Sequence, residues 1–154
     1  MQIQPSTLSR RDAVKAAAWA LAAAAIAPKL AFADEKTVAA EIKKLYGDKP
    51  MASGKIKLDV PEIAENGLVV PINFEIESPM TEADYVKAVH VFAEGNPQPG
   101  VVSYQFTPAC GKASAATRMR LAQTQDIICV AEMSNGALHT AKANIKVTIG
   151  GCGG

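Results

Sequence analysis

The chain is poor in several things at once. Aromatic residues make up only 5% of its 154 positions, and there are two histidines, three cysteines and a single tryptophan. Neither sign of charge dominates: the formal net charge is +1. So even a balance excludes nucleic-acid capture driven by the phosphate backbone. No apolar run approaches the roughly 20 residues that a membrane-spanning helix needs. His90 and His139 lie far apart, with no carboxylate at ligand spacing, so no metal site and no cofactor is expected. Met80, Met119 and Met133 are scattered over strand-like stretches and read as packing rather than as copper ligands. No Ser-His-Asp order, phosphate loop or paired-carboxylate motif is present. A charge content of 20% is nonetheless ordinary for a folded domain.

What is present begins with an export leader over residues 1–33. Arg10 and Arg11 precede a soft, alanine-rich apolar run from Ala16 to Ala27, and Lys29 follows it. Ala31-Phe32-Ala33 offers a small-x-small cleavage pattern, with Asp34 as the new N-terminus. The paired arginines and weak hydrophobicity resemble a twin-arginine signal, although Ala13 stands where that pattern favours phenylalanine. No cysteine follows the run, so a lipid anchor is not expected. Cleavage would remove four basic residues (Arg10, Arg11, Lys15, Lys29), Asp12 and the lone Trp19. The remainder is weakly acidic and is expected in the periplasm.

The body, residues 34–149, reads as one helix followed by strands. Val38, Ile42 and Leu45 recur at helical spacing between Asp34 and Tyr46, and Gly47 is a natural stop. From Lys55 onward the period is two. Strands are expected at Ile56–Val60, Val70–Ile76, Tyr85–Ala93, Val101–Phe106, Thr117–Ala122, Ile127–Met133 and Thr140–Ile149, with Pro71 marking an edge or a bulge. Glu94-Gly95-Asn96-Pro97 and Ser134-Asn135-Gly136 supply turns. Seven short strands without intervening helices predict an all-β fold, an immunoglobulin-like antiparallel sandwich with an N-terminal helix. Arg118 and Arg120 alternate with Met119 and Leu121. Their charges therefore face solvent or a partner, in surface ion pairs before anion contacts.

The last regular strand runs into Gly150-Gly151-Cys152-Gly153-Gly154. Glycines on both sides leave the thiol unshielded and the backbone free to take nearly any angle. Such a tail adds nothing to a core. Three residues beyond Ile149, the thiol reaches roughly 10 Å past the sheet at about 3.3–3.6 Å per residue. No histidine or acid adjoins it to form a thiolate, whose ordinary pKa is about 8.5. Residues 150–154 thus read as a flexible arm that carries a group and is activated by whatever it visits.

The GGCGG terminus, Val147-Thr148-Ile149, the Arg120-Leu121-Ala122-Gln123 stretch and the twin-arginine leader resemble the SoxY family, the sulfur-carrier subunits of the periplasmic thiosulfate-oxidising Sox system. The resemblance extends over essentially the whole chain after the leader, and its specificity lies in the last five residues. It implies a carrier rather than an enzyme, with Cys152 as the covalent attachment point for sulfur: first an S-thiosulfonate, then a persulfide once sulfate is hydrolysed off. It implies SoxZ as a constant heterodimer partner, with SoxXA loading, SoxB hydrolysing and SoxCD oxidising the sulfane sulfur.

Cys110 and Cys129 leave two readings open. In an oxidising compartment they form a disulfide that spares Cys152, or Cys129 is a small buried apolar residue and Cys110 an incidental loop thiol. Two other functional classes compete with the carrier. One is a ubiquitin-like sulfur carrier activated at the Gly153-Gly154 carboxylate, a cytosolic β-grasp class that does not need Cys152. The other is a periplasmic scaffold whose terminal thiol forms an intermolecular disulfide.

Overall fold

Two faces of one sheet organise the molecule. In this computed structural model residues 33–151 are described. The leader up to residue 32, and Cys152, Gly153 and Gly154, lie outside them. Helix α1 (Glu35–Tyr46) is followed by strands β1 (Met51–Ala52), β2 (Ile56–Asp59), β3 (Ile63–Asn66), β4 (Val70–Ile76), β5 (Val86–Ala93), β6 (Gly100–Gln105), β7 (Ala113–Met119), β8 (Gln125–Met133) and β9 (Leu138–Ile149). A single 3₁₀ turn, Pro108–Cys110, leads into β7.

The larger sheet runs β1-β9-β8-β5-β6, with β3 also paired to β9, and the smaller runs β2-β4-β7. Strand β8 reads almost continuously apolar because both its faces are covered. Ile127, Cys129, Ala131 and Met133 face the small sheet's Val70, Ile72, Phe74 and Ile76 in one core. Val130 turns the other way, with Phe92 and Leu138, to receive Val38, Ile42 and Tyr46 of α1. The result is three layers: helix, large sheet, small sheet.

Local chemistry sets the boundaries. Asp34 caps α1 by accepting from the Thr37 hydroxyl at 2.7 Å and the Thr37 amide at 2.8 Å, and these two bonds, the hydroxyl's first, hold its carboxyl below the usual carboxylate range. The Gly47 amide closes the helix on Lys43. The buried stripe is Val38, Ile42 and Tyr46, whereas Leu45 is exposed. The helix therefore presents an i, i+4, i+8 face instead of the one that ended on Leu45. Between β8 and β9, Gly136 takes φ 81° and the Asn135 side chain accepts from the Ala137 amide.

The expected helix-plus-sandwich architecture is present, with three differences of detail. Two short strands, β1 and β3, add to the seven expected, and both run parallel to β9. Strand β7 begins at Ala113 and ends at Met119, where Thr117–Ala122 was expected. Alanine gives its first half little apolar signal, and Arg120–Ala122 bonds elsewhere, as described below. Pro71 lies in the middle strand of the small sheet. Because β2 pairs only Asn73 to Ile76, β4 has a partner on one side alone at Pro71, opposite Arg118.

Candidate functional site: the root of the terminal arm

Three backbone segments meet where β9 ends. The Gly67 amide donates to the Ile149 carbonyl at 2.7 Å, and the Gly67 carbonyl accepts from the Leu121 amide at 2.8 Å. The Gly151 amide in turn donates to the Leu121 carbonyl at 2.8 Å. Residues 67, 121 and 151 are thus laced together by main-chain bonds alone. The Asn66 side chain accepts from the Leu68 amide at 2.8 Å, which shapes the turn that delivers Gly67.

This approach needs glycine. A Cβ on Gly67 would overlap the Leu121 carbonyl oxygen, one on Gly150 the Ala122 carbonyl oxygen, and one on Gly151 the Gly67 carbonyl and the Leu68 nitrogen. In the described structure Gly150 and Gly151 therefore serve close packing as much as conformational freedom. The sequence offered only the latter.

The receiving strand is itself held. Leu121 is fully buried. On either side of it, Asn96 mimics a neighbouring strand: its Nδ2 donates to the Arg120 carbonyl at 2.8 Å and its Oδ1 accepts from the Ala122 amide at 3.0 Å. Gln125 braces Asn96, its Nε2 donating to Asn96 Oδ1 and to the Gln123 carbonyl, both at 3.0 Å, while its Oε1 accepts from the Gly95 amide at 2.7 Å. Among the described residues, Asn96 and Gln125 are the buried polar ones. A satisfied network of this kind rigidifies its surroundings. Neither Asn96, Gln125 nor Gly67 stood out in the sequence as a site residue. The Asn66-Gly67 pair signals a turn, and nothing in it foretells what the turn touches.

The remaining candidates separate. Cys110 and Cys129 are both free thiols, so the disulfide is not the arrangement the structure holds. Cys129 sits in β8 opposite Val91 and Ala141, where burial pushes its pKa up to about 12. Cys110 is exposed at the end of the 3₁₀ turn, and hydrogen bonds from the Thr107 backbone and hydroxyl lower its pKa. Arg118 and Arg120 are exposed, and among the described residues the ion pairs involve lysines only. The expected surface pairing of these two arginines is absent there. His90 bonds Ser103 through Nδ1 at 2.8 Å and packs against Tyr46 and Phe92. Met80, Met119 and Met133 are all core residues. Among the described residues no three His, Cys, Asp or Glu side chains group as metal ligands.

Comparison with known proteins bears on the same region. The family described as "Sulfur oxidation protein SoxY" matches residues 42–152, a span that includes Cys152. The structure of the sulfur carrier protein SoxY from Chlorobium limicola f. thiosulfatophilum is similar, with 30% identity and a TM-score of 0.61, over 73% of this chain and 96% of that one. Superoxide reductase (neelaredoxin) from Ignicoccus hospitalis is 16% identical with a TM-score of 0.55, over 75% of this chain and 94% of its own. A putative superoxide reductase from Thermotoga maritima is 19% identical with a TM-score of 0.51, over 69% and 89%. At those identities the two reductases share the sandwich and nothing more is inferred from them. No curated protein matches the chain. By its family match and its likeness to the Chlorobium protein, this chain belongs to the SoxY family of sulfur oxidation proteins.

Proposed function

We propose that this chain is a sulfur carrier of the Sox system and that Cys152 is the atom-bearing residue. The observation that carries the proposal is the backbone lacing of Gly151 to Leu121. It sets the thiol one residue beyond a fixed point on the sandwich, inside the span that matches the SoxY family. A slender Gly-Cys-Gly segment leaving a rigid root can enter a narrow site on another protein, and nothing beside Cys152 in sequence commits it to chemistry of its own.

The cycle balances as follows. The Cys152 thiolate and thiosulfate form a cysteine S-thiosulfonate, R–S–S–SO₃⁻, releasing two electrons to an acceptor that the loading partner supplies. Water then cleaves the outer S–S bond. This gives sulfate, two protons and the persulfide R–S–S⁻, whose sulfane sulfur is oxidised and hydrolysed in its turn. Following the family resemblance, loading falls to SoxXA, hydrolysis to SoxB and oxidation to SoxCD. SoxZ serves as the heterodimer partner, and the twin-arginine leader directs the chain to the periplasm.

The two-sheet sandwich speaks against the ubiquitin-like alternative, which is a β-grasp fold activated at its terminal carboxylate. Cys152→Ser tests the proposal. Thiosulfate-dependent turnover with the partner enzymes should fall to background while thermal stability is unchanged. Sustained turnover in that variant would refute it.

A further inference from the structure

Strand β6 ends one side of the larger sheet and β7 one side of the smaller, and among the described residues neither has a second neighbour. The two open edges share a flank. A pocket of about 380 Å³ joins them, lined by Gly100 and Val101 of β6 and by Arg118, Met119 and Arg120 around the end of β7. Strand β6 itself is held firmly. The Phe106 amide donates to the Lys87 carbonyl at 3.0 Å, and main-chain groups alternate sides along an antiparallel strand. The N–H and C=O groups of Ser103 and Gln105 therefore point away from β5. Tyr104 turns inward and meets Phe74 of the small sheet edge-on, with ring centroids 5.4 Å apart, which pins the strand to the core.

Other sheet edges carry the features that keep stray strands from pairing. Strand β1 is two residues long, β2 carries Lys57 and Asp59, and β3 carries Glu65. Strand β6 has none of these. Gly100-Val101-Val102-Ser103-Tyr104-Gln105 holds no charge and no proline, and no charged residue occurs between Glu94 and Lys112. An uncharged edge with valine and tyrosine is a template for aggregation when left bare. This one is built to be covered.

Charge selects what covers it. Arg118 and Arg120 are exposed, and among the described residues neither has a carboxylate partner. A second copy pairing β6 with β6 leaves them so, because its paired strand has no acid to offer.

We propose that this flank receives an edge strand of a different β-protein. The incoming main chain bonds the outward groups of Ser103 and Gln105, and carboxylates beside that strand meet Arg118 and Arg120. The proposal rests on the heterodimer reading above, with SoxZ as the occupant, and assigns the surface on which that subunit sits.

The test co-expresses the complete chain with SoxZ and compares amide hydrogen exchange in the complex and in the chain alone. Exchange at Ser103 and Gln105 should slow by at least about tenfold in the complex, while the amides of β2 keep their rates. Arg118→Glu/Arg120→Glu, a change confined to exposed side chains, should weaken association by at least about tenfold. Added salt should weaken the parent complex and strengthen that of the variant. Gln105→Pro removes an outward donor without touching the bonds to β5, and should weaken association as well. A complex whose Ser103 and Gln105 exchange as in the free chain, or which tolerates both variants, overturns the proposal and leaves the heterodimer standing. Concentration-dependent protection of the same amides in the chain alone overturns it in favour of a second copy. Failure of the two chains to co-purify at all refutes the heterodimer reading, and the proposal with it.

Discussion

The Gly151 amide lies 2.8 Å from the Leu121 carbonyl, and that bond sets where the sandwich stops and the arm starts. Leu121 is fixed by its own burial and by Asn96 on either side of it. Fixity therefore passes from the core, through one strand, to the residue before Cys152. A carrier gains from this arrangement because every residue of slack enlarges the volume the thiol must search.

Alanine at Gly67 or Gly151 should be costly. Each Cβ would overlap main chain, which cannot rotate aside, so a loss of about 1–3 kcal/mol is expected, as for overpacking generally. Urea unfolding measures it. A midpoint unchanged from the parent would mean that the segments do not pack as described.

Asn96→Ala strands the Arg120 carbonyl and the Ala122 amide and removes one of the three hydrogen bonds of the Gln125 amide group. At roughly 1–3 kcal/mol per group left unpaired, the total should be about 2–4 kcal/mol once water reaches some of them. Because Gln125 belongs to the same network, Asn96→Ala and Gln125→Ala combined should cost clearly less than their sum. Additive costs would show that the two side chains act independently.

The thiols should differ in reactivity. In Cys152→Ser protein, iodoacetamide should add once under native conditions, at Cys110, and a second time only in denaturant, at Cys129. Exposure and the Thr107 hydrogen bonds favour the Cys110 thiolate, while burial holds Cys129 protonated. Mass spectrometry counts the additions. Protein that takes up none in denaturant unless reduced would contain the Cys110–Cys129 disulfide instead.

His90 should make the domain acid-sensitive. Burial against Tyr46 and Phe92 lowers its pKa from 6.5, with Glu132 pulling the other way. The unfolded chain thus binds this proton at a higher pH than the folded one. Its contribution is complete above pH 6.5 and is lost as pH falls through the folded value. The urea midpoint should decline between pH 7 and pH 5, and His90→Gln should flatten that decline. A midpoint in the parent that rises on acidification would reverse the sign and contradict this.

Much of the fold was legible because alternation is a local signal. Val70, Ile72, Phe74 and Ile76 announce an inward face, and Asp34 with Gly47 brackets the helix. What stayed hidden depends on partners distant in sequence. Ile63–Asn66 is too short and too exposed to read as a strand until β9 lies beside it. Gly67 and Asn96 look like ordinary turn residues because their importance comes from contacts 54 and 24 positions away, at Leu121 and Arg120. Cys152 was the reverse case: its glycine surroundings mark it in sequence, and it lies outside the described residues.

Intact-mass analysis of the chain recovered from cells oxidising thiosulfate tests the central claim most directly. The carrier account predicts sulfur-containing adducts, S-thiosulfonate and persulfide, mapped by fragmentation to Cys152 and absent from Cys152→Ser protein. A bare or cross-linked Cys152 in actively oxidising cells, or adducts confined to Cys110, would contradict it.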